Sequence, residues 1–393
     1  MRIGVLNPQP DPLSSKNWSG TPRGIADGLT ALGVEVVPLG TRLPVGIHHG
    51  VAVLSRIGGK RGAVADRTPV RQRSRTWALG RHLDEAGPLD GIVAMGQETY
   101  DLAALRRPGV PILTYDDTTL RQMWQHPDSD IRTAGFPESA VSLWCERQRA
   151  SSLAADRCCV STRWAGDSFI ADYGITPDRV TVVGIGHRPR GTDARVGRDW
   201  DTPRFLFVGV DWKRKNGDAV VRAFRALRRV HPEITLDLVG NHPRVDEPGV
   251  HGHGFLAREN ADDQARLDAL FAAATAFVLP SRFDPAGIAY LEAASAGLPV
   301  IATSQGGAVE LLGDAAITVH PDDDDALQAG MLRLSSPGTA RAMGARAAAI
   351  AKVSRWVDVA GRIVAVLHQQ TAEDRSVGRP TTPDTETTVQ EQS

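Results

Sequence analysis

Short apolar runs recur along the chain, separated by stretches in which apolar side chains return every three or four positions. In the first half Arg2–Leu6, Val34–Leu39, Gly91–Met95 and Pro111–Tyr115 have the strand pattern, and Arg23–Leu32 has the helical one. In the second half the strand pattern covers Arg204–Val208, Thr235–Val239, Ala276–Leu279, Val300–Thr303 and Ile317–Val319. Val220, Phe224 and Leu227 give one apolar face to a helix expected over Ala219–Val230. Continuous apolar strands alternating with helices predict parallel sheets covered on both faces, an α/β chain of doubly wound units.

The alternation breaks once. Gly184-Ile185-Gly186-His187-Arg188-Pro189-Arg190-Gly191, continuing through Asp199-Trp200-Asp201, is rich in Gly, Pro, Arg and Asp and marks a domain boundary. At 393 residues the chain is comfortable for two domains. The expected organisation is 1–190 as a first Rossmann-like domain and 191–352 as a second. Residues 353–370 form a terminal helix, and the Thr/Glu/Asp/Pro-rich tail 371–393 cannot bury enough apolar surface to order itself.

Composition narrows the class. Hydrophobic content of 41% and charged content of 23% suit a globular protein, and a formal net charge of -1 argues against a dedicated nucleic-acid binder. Cys145, Cys158 and Cys159 form neither a metal-ligand spacing nor a disulfide framework, and the adjacent pair reads as strand filler. Met1-Arg2-Ile3-Gly4-Val5-Leu6 begins on a strand rather than a signal sequence, and no apolar run reaches membrane-spanning length, so the expectation is a cytoplasmic protein.

The richest segment is Leu279-Pro280-Ser281-Arg282-Phe283-Asp284-Pro285-Ala286-Gly287-Ile288-Ala289-Tyr290-Leu291-Glu292-Ala293. It reads as a buried strand, a turn at Gly287 and a helix opening near Ile288, with Asp284 before the helix and Glu292 on its second turn. A helix N-terminus offers unpaired N–H groups to a phosphate, and ionised carboxylates accept hydrogen bonds from sugar hydroxyls. Phosphate and polyol in one place point to a nucleotide sugar. A βα turn with a capping Asp is the plain alternative.

This segment, with Ala296-Gly297-Leu298-Pro299-Val300-Ile301-Ala302-Thr303 and Gly306-Gly307-Ala308-Val309-Glu310 after it, resembles the signature of the retaining family 4 glycosyltransferases, the glycosyl transferases group 1. Asp284 stands where that family usually has Glu, and Ala286 where it usually has Phe. The resemblance implies a GT-B fold, two Rossmann-like domains facing across a cleft, with the terminal helix crossing back to the first. It implies donor contacts at Gly287, Ile288, Glu292, Gly306, Gly307 and Glu310, and a catalytic role for Asp284. For Glu310 a plain helix-start acid is the competing reading.

The loop Phe207-Val208-Gly209-Val210-Asp211-Trp212-Lys213-Arg214-Lys215-Asn216-Gly217-Asp218 follows the first strand of the second domain. In the resembled family it carries an Arg directly after Gly and a Lys six residues beyond that Gly, both on the donor diphosphate. Lys215 matches the Lys. Val210 takes the place of the Arg, and Arg214, or else Lys213, is the candidate to supply its charge; a solvated turn is the alternative. Asn17-Trp18-Ser19-Gly20-Thr21-Pro22-Arg23 is similar to the family's glycine loop, which puts Gly20 at the donor.

Tyr115-Asp116-Asp117-Thr118-Thr119 ends a first-domain strand where many family members place a His. Ungapped comparison selects Asp117 as the third catalytic candidate, with Asp116 one register away and a capping pair as the alternative. Asp322–Asp325 has the look of a metal site but precedes a helix, where acids cap, and no metal site is expected. Lys60, Arg61, Arg67, Arg71, Arg73 and Arg75 crowd the stretch Arg56–Arg81 with Asp66 the only acid, suiting an anionic acceptor, a membrane surface or a solvated loop.

The expectation is therefore a retaining hexosyl-type glycosyltransferase using a nucleoside-diphosphate sugar and a hydroxyl acceptor, which is a saccharide, lipid-linked or a small molecule. No cofactor beyond the donor and no essential metal are expected. The rival readings are another enzyme of the same fold (a sugar-nucleotide 2-epimerase or a phosphorylase) and a non-catalytic sugar-nucleotide-binding partner.

Overall fold

The computed structural model describes residues 1–41, 45–59, 62–190 and 197–376. Two sheets of six parallel strands organise it. The first has the order β2-β1-β3-β4-β5-β6, built from β1 (Arg2–Leu6), β2 (Glu35–Leu39), β3 (Gly91–Ala94), β4 (Ile112–Asp116), β5 (Arg157–Val160) and β6 (Val180–Val182). The second has the order β12-β11-β10-β7-β8-β9, from β7 (Arg204–Val208), β8 (Thr235–Val239), β9 (Val250–Gly254), β10 (Ala276–Leu279), β11 (Val300–Thr303) and β12 (Ala316–Val319). Each central strand is buried on both faces, which is why its sequence is apolar without alternation.

The edge strands depart from that pattern. β9 reads Val-His-Gly-His-Gly and β6 spans only Val180–Val182, so neither carries an apolar run, and their place comes from backbone pairing with β8 and β5. Cys158 and Cys159 are free, buried thiols within β5.

The last helix, Trp356–Ser376, runs six residues beyond Gln370, and residues 377–393 of the expected tail lie outside the described residues. Its Val359, Ile363 and Leu367 enter the first-domain core beside Ile3, Val5 and Ile25. The contact with the Thr21–Ala31 helix is made close by glycine. A Cβ on Gly24 would lie 2.2 Å from the Trp356 indole, and one on Gly28 would lie 2.3 Å from the Trp356 carbonyl oxygen. Arg157 on β5 donates to Gln370 at 3.0 Å and fixes the far end. The chain's C-terminal helix thus belongs to the domain in which the chain begins.

The basic stretch is largely helical where a loop was among the expectations: Ile57–Gly59, Gly62–Asp66 and Pro69–Ala86 are helical, after the Val45–Leu54 helix that precedes it, with Lys60 and Arg61 outside the described residues. Thr68 caps the long helix by accepting from the Arg71 N–H, and Pro69 occupies its first turn. Among the described residues no helix is long and apolar enough to cross a membrane.

Candidate functional site

In the second sheet the strand order reverses between β7 and β10, and the loops leaving their carboxyl ends flank the crevice that forms there. One loop delivers Gly209, Val210, Arg214 and Lys215; the other delivers Asp284–Gly287 and the helix Ile288–Ser295. The first domain closes the opposite side with Trp18, Ser19 and Asp117. These residues line a cleft of about 460 Å³.

The Lys215 ammonium lies 2.5 Å from Asp284 Oδ2, and both side chains are largely buried. Ser281 Oγ donates to the same oxygen at 3.2 Å, and the Gly287 N–H donates to Oδ1 at 3.0 Å. Burial alone would raise the Asp284 pKa, but the Lys215 charge, with Arg214 and Ser281, holds it below the usual carboxylate value. Two left-handed residues shape these loops. Asn216, at φ 61°, turns the chain so that Lys215 faces the cleft, and its amide donates to the Pro321 carbonyl at 2.7 Å. Gly287, at φ 51°, starts the helix where any Cβ would strike the Tyr290 ring.

Glu292, on the second turn, lines both this cleft and an adjoining cavity of about 370 Å³. Its Oε2 accepts from Arg190 at 3.1 Å, whereas its buried Oε1 has no hydrogen-bond partner; the Arg258 guanidinium stands 3.9 Å from it. An unpaired carboxylate oxygen in a cavity is an acceptor waiting for a donor.

Asp116 and Asp117 part at the end of β4. Asp116 is buried between the amides of Gln97 (2.6 Å) and Gln148 (3.4 Å) and does not line the cleft. Asp117 faces the cleft and accepts from Trp18 Nε1 at 2.9 Å. Burial raises its pKa to about 7, helped by the Asp284 charge and opposed by the Trp18 hydrogen bond. Trp18 and Ser19, at φ 42° and 54°, precede Gly20 at 84°, so three consecutive left-handed residues set the indole against Asp117 and leave Gly20 as the N-cap of the Thr21–Ala31 helix.

Residues 202–336 match the family described as Glycosyl transferases group 1. Over this part of its length the chain is similar to the group 1 glycosyl transferases. It is similar to a D-inositol 3-phosphate glycosyltransferase of Acidothermus cellulolyticus, 28% identical over 304 residues, which are 70% of this chain and 65% of that protein. A glycogen synthase of Mycobacterium tuberculosis is 32% identical over 227 residues, 53% of this chain and 51% of that one. The chain thus spans less than two thirds of the length of these relatives. Among solved structures, sucrose-phosphate synthase from Thermosynechococcus elongatus superposes with a TM-score of 0.66 at 17% identity, over 95% of this chain and all of that one. The α,α-trehalose 6-phosphate synthase of Burkholderia multivorans does so with 0.66 at 14%, over 98% and 99%. At such identities the likeness speaks of architecture, and that architecture is the two-domain GT-B fold.

Not every expected residue of the group 1 domain reaches the cleft. Glu310 is engaged elsewhere: its carboxylate accepts the N–H groups of Arg163 and Trp164, both at 2.8 Å, and so caps the Arg163–Ala171 helix of the first domain. In this structure it ties the two domains together. Gly306 and Gly307 are required by packing beneath the cleft. A Cβ on Gly306 would lie 2.3 Å from the Asp284 carbonyl oxygen and one on Gly307 2.5 Å from that of Pro285. Arg214 lines the cleft but is already bound to Asp130 at 2.8 Å and to the Phe283 carbonyl at 3.1 Å, and Lys213 points to solvent. Asp323 caps its own helix, Asp322 pairs with Arg282 and Asp324 with Arg222, so three of the four acids in this run have partners within the protein.

Sequence reasoning missed Trp18, Arg190 and Arg258. Arg190, in the connector, is the buried partner of Glu292 and Asp268. A pair 102 positions apart leaves no local signal. Trp18 stood inside the quoted glycine loop, but its contact with Asp117 spans 99 positions.

Proposed function

We propose that this chain transfers a sugar from a nucleoside-diphosphate sugar to a hydroxyl acceptor with retention of anomeric configuration. The observation that carries the reading is one cleft holding the Lys215–Asp284 pair, the N-terminus of the Ile288–Ser295 helix and the unpartnered Oε1 of Glu292. Glu292 Oε1 accepts a ribose hydroxyl of the donor, and the apolar walls of the adjoining cavity (Val208, Val239, Leu256 and Leu267) take the base. The free N–H groups near Ile288 and the Lys215 ammonium meet the diphosphate.

Breaking the bond from anomeric carbon to phosphate leaves negative charge on the diphosphate. A cation about 4 Å away in a partly shielded cleft contributes a few kcal/mol. Lys215 is that cation once the incoming phosphate loosens its hold on Asp284, and Asp284 is then free to accept from the sugar hydroxyls. With these charges in place the reading calls for no metal. Asp117, on the opposite wall beside Trp18, contacts the transferred sugar. In the retaining route the acceptor attacks from the leaving group's own face and the diphosphate oxygen takes its proton.

Similarity to D-inositol 3-phosphate glycosyltransferases and glycogen synthases supports the transfer class. A donor screen by thermal shift, followed by incubation of the stabilising donor with candidate acceptors and mass spectrometry, tests the reading. A product heavier than the acceptor by one glycosyl residue is expected. A second reading, a sugar-nucleotide-binding protein without turnover, draws on Val210 at the mouth of the cleft; tight donor binding with no product across the acceptors would favour it.

A further inference from the structure

The most unusual surface of the molecule lies outside the cleft. The Val45–Leu54 helix, Val-Gly-Ile-His-His-Gly-Val-Ala-Val-Leu, buries Val51 but exposes Ile47, Val53 and Leu54, and Ile57 follows it; Val53 is 69% exposed and Ile57 65%. On the neighbouring Pro69–Ala86 helix, Val70, Arg73, Trp77 and Arg81 recur at helical spacing along one exposed stripe, with the Arg81 guanidinium 5.3 Å from the centre of the Trp77 ring. In sequence the stretch 56–81 carries eight basic residues and one acid, in a chain whose net charge is -1; among the described ones Arg56, Arg73 and Arg81 are exposed, Arg81 with Glu85 at 2.9 Å, while Arg67 and Arg75 are paired with Glu98 and Asp66.

We infer that this face docks on an anionic lipid surface. The pairing of an exposed aliphatic helix with flanking arginines and an exposed tryptophan is the chemistry of an interfacial helix, in which apolar side chains enter the headgroup boundary and the cations meet lipid phosphate. The charge also selects among occupants. A symmetric contact between two copies of this chain would set the same basic patch against itself, which costs energy rather than returning it. A planar anionic surface satisfies both the apolar and the cationic components. Gly46 and Gly50 leave the helix poorly supported in water, since each is a weak helix former with nothing within 4 Å of where a Cβ would stand, and burial of Ile47 and Leu54 in an interface would stabilise it.

The segment is linked to the cleft wall through a shared apolar cluster. Ala63 and Val64 pack on the cluster of Leu120, Val141 and Trp144, to which Met123 of the cleft wall belongs. A molecule anchored in the surface is thus presented near the first-domain side of the cleft, which rests on the transfer reading; the docking itself does not.

The test is co-sedimentation of the full chain with vesicles of phosphatidylglycerol mixed into phosphatidylcholine, and with phosphatidylcholine alone. Binding to the anionic vesicles is expected, weakening as salt rises, with little on the neutral ones. Arg73→Gln should lower the partition coefficient about fivefold. Leu54→Ser with Ile57→Ser should weaken binding that persists at high salt, while circular dichroism and thermal unfolding stay near wild type because both side chains are exposed. Wild-type protein left in the supernatant overturns the proposal. So does a concentration-dependent dimer that Leu54→Ser with Ile57→Ser abolishes, which would assign the face to a second copy. Displacement by millimolar inositol phosphate, with the serine variant binding normally, would overturn it in favour of a soluble anion site.

Discussion

The Lys215 ammonium sits 2.5 Å from Asp284 Oδ2 across 69 residues of chain, and the loops that carry them leave adjacent strands of the second sheet. Removing one partner strands a buried charge, whereas removing both removes the problem. Lys215→Ala alone is expected to cost about 3 kcal/mol of unfolding free energy, and Lys215→Ala with Asp284→Asn distinctly less. Urea denaturation of the two singles and the double decides this. Additive losses would mean that the two groups do not act as a pair.

Lys215 should also matter more to turnover than to nucleotide binding, because the charge it meets grows as the donor bond breaks. The fall in kcat for Lys215→Ala is therefore expected to exceed the fall in affinity for the nucleoside diphosphate, compared in a variant shown to be folded. Equal losses would place Lys215 in ground-state binding only.

Glu292 has two tasks, since Oε2 holds Arg190 and Oε1 faces the cavity. From sequence alone it is a ligand-facing acid whose replacement spares the fold. The buried arginine changes that expectation: Glu292→Gln should weaken donor binding by about 1–3 kcal/mol and also lower stability by an amount of the same order. Titration calorimetry and thermal unfolding read the two separately. Unaltered donor affinity would remove Glu292 from the site.

What was legible in the sequence divides along burial. Central strands such as Ala276–Leu279 and Val300–Thr303 announce themselves because both faces are covered, and the turn-helix run from Asp284 to Glu292 is legible because its chemistry is local. β9 was not, because an edge strand of His and Gly lacks an apolar run. The contacts of Glu310 were not legible for a different reason. Its position after Gly306-Gly307 is local, but its partners, the N–H groups of Arg163 and Trp164, lie in another domain. The choice between Asp116 and Asp117 was a one-residue register question that only the direction of each side chain at the end of β4 resolves.

Glu310→Ala should cost about 1 kcal/mol, the scale of a lost helix cap with its dipole interaction, and leave donor affinity unchanged. Chemical denaturation and a donor titration check both halves. A large fall in donor affinity with intact stability would return Glu310 to the binding residues.

Asp117 gives a pH signature with a definite sign. Its carboxyl titrates near 3.8 when unperturbed and at about 7 in the folded chain, because of burial first and the Asp284 charge second. Between those values the folded state holds the proton that the unfolded state has lost, so the stability this proton contributes is full below pH 4 and is lost as pH rises through 7. Asp117→Asn cannot titrate. The stability of the wild type relative to this variant should therefore fall between pH 5 and pH 7.5, by up to about 1.4 kcal/mol per pH unit, and level off above. Parallel urea curves at four pH values measure it, and a constant difference would refute the raised pKa.

The same substitution tests the stereochemistry. Of the two first-domain carboxylates that line the cleft, Asp130 is paired with Arg214, which leaves Asp117 the obvious base for an inverting attack, and a group titrating near 7 is well placed to accept a proton. On the retaining route the acceptor approaches from the face of the leaving diphosphate and gives its proton to a phosphate oxygen, so Asp117 only orients the sugar. Asp117→Asn keeps the shape of the side chain and the acceptor oxygen for Trp18. The retaining reading thus expects a modest slowing, about tenfold, and a product with the donor's configuration. The inverting reading expects loss of a general base, typically about 10²–10⁴-fold, and the opposite configuration in the wild type. Proton NMR of the first-formed glycoside distinguishes them by its anomeric coupling. A β-linked product from an α-linked donor would overturn retention and make Asp117 the base.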